Sequence, residues 1–234
     1  MTKVLFILSG ARSWSQLDGT QHPTGFWAEE FITPHRIFTA AGLDIRIATP
    51  GGRVPAADQI SLNPTVGIDE AAAADFRAYL TEVKDVLDHP TRLEDINPDE
   101  YDVVLIPGGH GPMQDLAVND DINRILGRML PDDEKIVASV CHGQAAFLAA
   151  GDSKNWLFKG RRMTAFTDAE EQQAGLAANA PFLLESRLRA AGATYESGGL
   201  WQPFVVTDGN LITGQNPVSS AGVAETILKE LAAR

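Results

Sequence analysis

The sequence predicts an α/β fold, a three-layer α/β/α sandwich built on a flavodoxin-like, doubly wound and mostly parallel sheet. Three short apolar runs support this prediction, because each has the length and continuity of a strand that is buried on both faces. They are Val4 to Leu8, Val103 to Ile106 and Ile136 to Val140. Helical patterns lie between them, and this alternation is typical of a parallel sheet covered by helices.

The first run opens a strand-helix-strand unit. Thr33-Pro34 offers an N-cap followed by a first-turn proline, so we expect a helix from about Pro34 to Ala41. Gly42 is placed as the end of this helix. The alternating residues Asp44 to Ala48 then predict the second strand.

The region 51–99 is polar and proline-rich, and we interpret it as a small helical insertion or cap. Four apolar residues in it step by four, three and four positions, which predicts one helix. They are Phe76, Leu80, Val83 and Leu87.

The remaining elements continue the same alternation up to the carboxyl end. Between the second and third apolar runs, one helical face is predicted by Ile122, Ile125, Leu126 and Met129. Later we expect a strand near Met163 to Phe166, a helix from about Pro181 to Ala191 ended by Gly192, a hairpin turned by Asp208-Gly209, and a helix from Pro217. One domain over residues 1–234 accounts for the pattern, with its site at the carboxyl ends of the strands.

Composition narrows the classes of function. The chain of 234 residues carries 19 Lys and Arg against 31 Asp and Glu, a net charge of −12. Such a surface repels phosphate backbones and anionic lipid, so we expect no nucleic acid or membrane partner. The first nine residues are too short an apolar stretch for a membrane span or an export signal, and a cytoplasmic protein is expected. A single cysteine excludes an intrachain disulfide and a Cys-x-x-Cys pair.

That cysteine, Cys141, directly follows the run Ile136 to Val140 and precedes a helix-like segment that begins at His142. A strand-to-helix elbow exposes one side chain at the sheet edge, and a helix start lowers the pKa of a thiol. Gly143 is expected to permit the sharp turn. An inert, buried Cys141 is the alternative, but the apex position favours a nucleophile.

Other candidates surround the same edge. The role of His142 stays open between orienting the site with its ring and supplying only a backbone N–H. Gly108-Gly109-His110-Gly111 ends the strand Val103 to Ile106, where glycines let N–H groups approach an oxyanion, although a plain turn explains them nearly as well. Glu29 and Glu30 precede Thr33-Pro34 and could supply an acid or base, or form only a solvated pair.

Together these segments resemble the PfpI-type superfamily, with its glutamine-amidotransferase-like fold, and within it the glyoxalase III-like branch of heat-shock chaperone relatives. The resemblance runs over almost the whole chain. It rests on Thr24 to Glu30 leading to Thr33-Pro34, on Gly108 to Gly111, Ala138 to Gly143 and Thr164 to Asp168, and on Thr207 to Pro217. Position 144 departs from the pattern, since it is Gln where relatives usually have Pro.

The resemblance implies a role for each site residue. Cys141 would be the nucleophile, His142 its neighbouring histidine, and Glu30 the acid or base, since it stands four residues before Pro34. The acidic residue that holds His142 would be Glu171, with Glu170 and Asp168 as competitors. The oxyanion donors would be the backbone N–H groups of Gly109 and His142.

The implied activity is conversion of methylglyoxal or another small 2-oxoaldehyde to a hydroxy acid, without glutathione, metal or nucleotide. A protonated Glu30 donating to the thiolate would keep the sulfur charged near neutral pH. Deglycation of proteins or nucleotides, chaperone holding, and hydrolysis as an amidase or peptidase stay open as alternatives. A glutaminase is disfavoured, because it needs a histidine well beyond the cysteine and none follows His142. A homodimer, and a metal near His22 or His89, are also left open.

Overall fold

The computed structural model describes residues 1–64, 68–151 and 155–234. Residues 65–67, which belong to the expected insertion, lie outside the described residues. The strands are β1 Lys3–Ile7, β2 Ser13–Ser15, β3 Gln21–Pro23, β4 Asp44–Thr49, β5 Thr91–Arg92, β6 Val103–Ile106, β7 Ile136–Val140, β8 Arg162–Met163, β9 Thr194–Tyr195, β10 Val205–Asp208 and β11 Leu211–Gly214.

The α-helices are α1 Ala28–Ala40, α2 Glu70–Glu82, α3 Lys84–Asp88, α4 Gly111–Gln114, α5 Asp120–Met129, α6 Asp168–Gln173, α7 Leu184–Ala191 and α8 Ser220–Ala233. Short 3₁₀ helices span Pro50–Gly52, Gln59–Leu62, Leu93–Asp95, Pro98–Glu100, Leu116–Val118, Cys141–Ala149, Ala177–Asn179 and Pro217–Ser219. Within the described residues, each helix falls short of what crossing a membrane requires in length and apolar character.

A seven-stranded sheet forms the centre of the molecule, in the order β10-β11-β7-β6-β1-β4-β5. Its five long parallel strands, counted along the chain, have the order 2-1-3-4-5, which is the flavodoxin-like arrangement. The short strand β5 adds to one edge in parallel, and β10 adds to the other as the antiparallel arm of a hairpin. The predicted doubly wound, mostly parallel α/β sheet is confirmed.

Two apolar cores cover the two faces of this sheet, because successive strand side chains point to opposite sides. Leu5 and Ile7 of β1 pack on one side with residues of α5 and α7. Val4 and Phe6 pack on the other side with residues of α1 and α8. The result is the predicted three-layer sandwich, in which strands β1, β6 and β7 are buried on both faces.

The first helix begins earlier than the sequence led us to expect. Helix α1 starts at Ala28 after Trp27, so Thr33 and Pro34 lie inside the helix and not at its amino end. Proline removes one backbone donor, but apolar burial along α1, including Phe31, holds the helix through Pro34. One consequence concerns the site, because Glu29 and Glu30 now stand in the first helical turn.

Other expectations were partly wrong. The single helix expected over residues 76–87 is two helices, α2 and α3, which meet at Val83. The strand expected near Met163 is only β8, which pairs with β9 in a separate two-stranded sheet. Helix α7 starts at Leu184, three residues after Pro181, and ends as expected at Gly192, whose φ of 107° is left-handed.

One element lacks any counterpart in the sequence analysis. Strands β2 and β3 form a small antiparallel hairpin that is separate from the main sheet, with Trp14 opposite His22. The hairpin follows the loop after β1 and therefore lies at the carboxyl end of the sheet, where the site was expected.

Candidate active site

A cavity of about 120 Å³ lies at the carboxyl ends of β6 and β7, with Cys141 in its wall. A cavity of this small volume fits a substrate of a few carbon atoms. Residues from the hairpin, from the loop after β6 and from the segment that follows α6 close it. The lining residues are His22, Trp27, Asp58, Ile60, Gly109, His110, Cys141, His142, Phe166, Ala174, Leu176, Trp201 and Pro217.

The elbow places Cys141 immediately after β7, at the start of the expected helix, which is a 3₁₀ helix. The positive φ is at Cys141 itself, with a value of 62°. Gly143 serves close packing, because a Cβ there would lie 2.1 Å from the carbonyl oxygen of Ile106. The sharp turn expected at Gly143 is therefore made two residues earlier, at Cys141, by a non-glycine residue in the left-handed region.

Three side chains stand in a line beside the elbow. Nδ1 of His142 lies 3.3 Å from the sulfur of Cys141, and Nε2 of the same ring lies 2.6 Å from Oε2 of Glu171. All three residues are buried. The structure thus brings the predicted Cys141, His142 and Glu171 together, and His142 contributes its ring as well as its position in the elbow.

Glu171 is the acidic residue next to His142, and its two competitors have other partners. Glu170 caps α6 by bonding with Thr167 and accepts the backbone N–H of Trp201. Asp168 bonds with Ser186 at the surface. The position expected from the family resemblance is therefore the one that reaches the histidine.

The charge of Glu171 fixes the proton positions in the line. Burial would raise the pKa of Glu171, but His142 and His110 outweigh burial and hold that pKa well below its usual range. An ionised carboxylate only accepts hydrogen bonds, so a neutral His142 carries its proton on Nε2. Nδ1 is then free to accept a proton from the thiol.

Glu30 reaches the same thiol from helix α1. Its side chain is fully buried, whereas that of Glu29 is partly exposed, so α1 turns only Glu30 inward. Oε2 of Glu30 accepts the backbone N–H of Gly108 at 2.6 Å. Oε1 is buried and has no hydrogen-bond partner among the described residues.

Cys141 and Glu30 both have a raised proton affinity. Burial raises the pKa of Glu30 well above its usual value, and burial likewise raises the pKa of the Cys141 thiol. The Glu30 carboxylate raises the thiol pKa further, because two negative charges cannot easily share a dry site. The backbone N–H of His142 at the helix start lowers the thiol pKa as expected, but burial and Glu30 outweigh it, so the expected net lowering is wrong. The pair holds at least one proton, which must move when the sulfur attacks.

The expected oxyanion donors flank the sulfur. Gly109 and His142 both line the cavity beside Cys141. Gly109 has a φ of 83°, and a Cβ there would lie 2.4 Å from the carbonyl oxygen of Gly25. A side chain is therefore excluded at Gly109, which leaves its backbone facing the cavity.

His110 is a site residue whose side chain the sequence analysis left without a role. Its Nε2 lies 2.8 Å from Oε1 of Glu171, so that one carboxylate serves two histidines. The indole of Trp14 stacks on the His110 ring at 4.8 Å. The Gly108 to Gly111 motif pointed to His110, but its contacts with Trp14 and Glu171 depend on segments distant in sequence.

Gln144, the residue that departs from the family pattern, ties the elbow to its surroundings. Its Nε2 donates to the carbonyl oxygens of Thr164 at 2.8 Å and Gly214 at 2.9 Å, and its Oε1 accepts from Ser139. A proline could make none of these side-chain bonds. Gln144 therefore stabilises the strand ends on which Cys141 stands.

One group of side chains could hold a metal ion. His110, His142 and Glu171 place three ligand atoms within 4.8 Å of one another. Both carboxylate oxygens are already at hydrogen-bond distance from the two Nε2 atoms, so the cluster is complete as a hydrogen-bonded acid-base unit. His89, where a metal was left open, is exposed and bonds to the backbone of Asp85.

Comparison with known proteins agrees with the family resemblance drawn from the sequence. A model of the DJ-1/PfpI family matches residues 23–230. Glyoxalase 3 of Candida albicans is 29% identical over 97% of this chain and 98% of its own length. The protein/nucleic acid deglycase HchA of Pseudomonas aeruginosa is 28% identical over 98% of this chain and 80% of its own length.

A solved structure shows the same fold. The rapid encystment protein of 24 kDa from Francisella tularensis superposes with a TM-score of 0.86 at 28% identity, covering 99% of each chain. The fold and the family resemblance inferred from the sequence are therefore both confirmed.

Proposed function

The chain belongs to the DJ-1/PfpI family, and on that premise we propose that it is a glutathione-independent glyoxalase that converts small 2-oxoaldehydes to 2-hydroxy acids. The observation that carries the proposal is the line of Cys141, His142 and Glu171 at 3.3 and 2.6 Å, faced by the buried carboxyl of Glu30. The name of the Candida albicans relative, which covers 97% of this chain, supports it.

The first step forms a hemithioacetal. The sulfur of Cys141 bonds to the aldehyde carbon while the thiol proton passes to Nδ1 of His142, which Glu171 stabilises as a cation. The aldehyde oxygen becomes an alkoxide beside the backbone N–H groups of Gly109 and His142, and it takes the proton from Nδ1 of His142, which leaves the ring neutral.

The second step moves hydrogen between the two carbons of the substrate. A carboxylate on Glu30 removes the C–H proton at C1, which leaves an enediolate with its negative charge on the C2 oxygen. Glu30 then returns the proton to C2, and the hydroxyl proton on C1 passes to the C2 oxygen. The product is a thioester of the 2-hydroxy acid. Water then hydrolyses the thioester and restores the thiol, so the sum is one 2-oxoaldehyde plus one water giving one hydroxy acid.

The raised pKa of Glu30 suits this role. A carboxyl with an ordinary pKa is a weak base toward carbon, whereas burial makes Glu30 hold a proton more strongly. Its unpartnered Oε1 gives the proton a place to go.

Lactate formation from methylglyoxal tests the proposal. Purified protein is assayed without added thiol, and wild type is compared with Cys141→Ala. We expect turnover in wild type and loss to background in the variant, with the free energy of unfolding changed by no more than about 1 kcal/mol. Turnover that survives in Cys141→Ala would refute the covalent mechanism.

A deglycase activity is the second candidate, supported by the name of the Pseudomonas aeruginosa relative. It would use the same attack by Cys141 on a carbonyl-derived adduct. Release of free amine from a pre-formed methylglyoxal hemiaminal, at a rate above the scavenging of free methylglyoxal, would favour it over the glyoxalase.

A further inference from the structure

Unpartnered polar atoms mark two places around the catalytic cavity. In the described part of the chain, four buried side-chain atoms lack a hydrogen-bond partner, namely Gln16 Nε2, His22 Nε2, Glu30 Oε1 and Thr164 Oγ1. Glu30 stands beside the nucleophile, and His22 lines the cavity. Buried polar atoms are nearly always bonded in folded proteins, so an unpartnered one at a cavity wall points to a ligand.

Among the described residues, no group bonds to Nε2 of His22. Both carboxylate oxygens of Asp58 already accept bonds, one from the Thr24 hydroxyl at 3.0 Å and one from the Ile60 backbone N–H at 2.9 Å. His110 lies edge-on to the His22 ring at 5.9 Å, and its Nε2 is bound to Glu171. Nε2 of His22 is therefore left for a molecule in the cavity.

The ring of His22 is neutral near pH 7, because its pKa is lowered. Burial lowers its pKa, and His110 lowers it further, against smaller opposing contributions from Asp58 and Glu171. A neutral ring with its proton on Nε2 can donate one hydrogen bond into the cavity without adding a charge.

His22 also stands where the cavity meets a larger one. A neighbouring cavity of about 390 Å³ shares His22, Asp58 and Ile60 with the catalytic cavity. These three residues form the boundary between the inner space, where Cys141 lies, and this larger space. Because Cys141 and His22 line the same small cavity, a substrate whose reactive carbon is at Cys141 can extend toward His22.

We propose that Nε2 of His22 donates a hydrogen bond to the second oxygen of the substrate, the C2 carbonyl of a 2-oxoaldehyde, and so selects dicarbonyl substrates over simple aldehydes. The inference rests on the proposed glyoxalase function and deepens it. As C1 loses its proton, negative charge develops on the C2 oxygen, and the bond from His22 strengthens. His22 thus contributes to turnover as well as to binding.

Two variants of His22 and one control test this assignment. His22→Leu removes the donor, His22→Gln keeps an N–H donor on a neutral side chain, and His89→Gln alters an exposed histidine outside the site. We expect kcat/KM for methylglyoxal to fall about 10-fold to 100-fold in His22→Leu, the range for losing one hydrogen bond in a buried site. His22→Gln should recover most of the loss, and His89→Gln should match wild type.

A second measurement distinguishes an effect of His22 on substrate binding from an effect on the reactivity of the Cys141 thiol. Alkylation of Cys141 by iodoacetamide is followed in the presence of propanal or methylglyoxal, each of which protects the thiol as a hemithioacetal. We expect methylglyoxal to protect wild type at lower concentration than propanal. In His22→Leu the advantage of methylglyoxal should shrink about 10-fold, with propanal protection and the unprotected alkylation rate unchanged.

The outcomes separate the two proposals. If wild type forms no lactate but methylglyoxal still protects it better than propanal in a His22-dependent way, the glyoxalase function fails and the His22 subsite stands. Unaltered methylglyoxal turnover and protection in His22→Leu would overturn the subsite. So would an equal loss of protection by both aldehydes, because a structural role alone would produce it.

Discussion

Glu171 holds two histidines at once, with Oε2 at 2.6 Å from Nε2 of His142 and Oε1 at 2.8 Å from Nε2 of His110. Because both contacts are made by one carboxylate, the His142 ring is fixed in orientation and in tautomer. Its neighbour Glu170 has a different task, since it bonds Thr167, Gln215 and Asn216 within the fold.

Replacing these two glutamates should separate catalysis from stability. Glu171→Gln puts an amide N–H against one histidine, which disturbs the tautomer of His142, and turnover should fall about 100-fold or more. Glu170→Gln should lower the melting temperature while folded protein keeps most of its turnover. Kinetics and thermal denaturation of both variants check this, and equal activity losses would contradict the assignment of Glu171.

Glu30→Gln should reduce turnover far more than Glu29→Gln. Glu30 is fully buried beside Cys141, whereas Glu29 is partly exposed on the same helical turn. General acid-base residues contribute about 10²-fold to 10⁴-fold, so steady-state rates with methylglyoxal separate the two variants. Similar small effects in both would mean that Glu30 moves no proton.

Glu30→Gln should also move the titration of the thiol to lower pH. Burial raises the pKa of Cys141 and the Glu30 carboxylate raises it further, so an uncharged Gln removes the second contribution. The pH at which iodoacetamide alkylation reaches half its maximal rate should therefore fall, and the only cysteine in the chain is Cys141. A midpoint that rises instead would show that a protonated Glu30 stabilises the thiolate.

Gly143→Ala should destabilise the fold, because its new Cβ would lie 2.1 Å from the carbonyl oxygen of Ile106 and 2.5 Å from the hydroxyl of Ser139. The free energy of unfolding should fall by roughly 1–3 kcal/mol, as in other overpacked cores. Gly127→Ala is the matched control, since a Cβ there meets nothing within 4 Å. Gly127 lies within α5, so alanine should stabilise by about 0.5–1 kcal/mol. Urea denaturation of both variants measures the difference.

The central strands were predictable because a short continuous apolar run has few other possible places in a fold. Val103 to Ile106 and Ile136 to Val140 are continuous apolar runs, and the structure gives β6 and β7 these same bounds. Such runs can hardly be placed anywhere but in a sheet buried on both faces. Cys141 was predicted as the nucleophile because it directly follows Ile136 to Val140.

The start of α1 and the hairpin were not predictable in the same way. Thr33-Pro34 has the local chemistry of a helix start, yet packing of α1 against the sheet overrides that preference and begins the helix at Ala28. The contact of Trp14 with His110 joins a short hairpin to a loop far along the chain. The choice of Glu171 over Glu170 came from family resemblance, because two adjacent glutamates look alike to any pattern.

The hairpin of β2 and β3 carries the residue that we propose to recognise the substrate, and it is far along the chain from the residues that react. Trp14 and His22 both belong to residues 13–23, whereas Cys141 and His142 follow the central strand β7. The hairpin strands pair with each other and not with the main sheet, so changes within them leave the register of the sheet intact. Substrate range can therefore diverge by changes in this segment at positions other than Trp14, whose ring stacks on His110, while the nucleophile and its proton path are inherited unchanged.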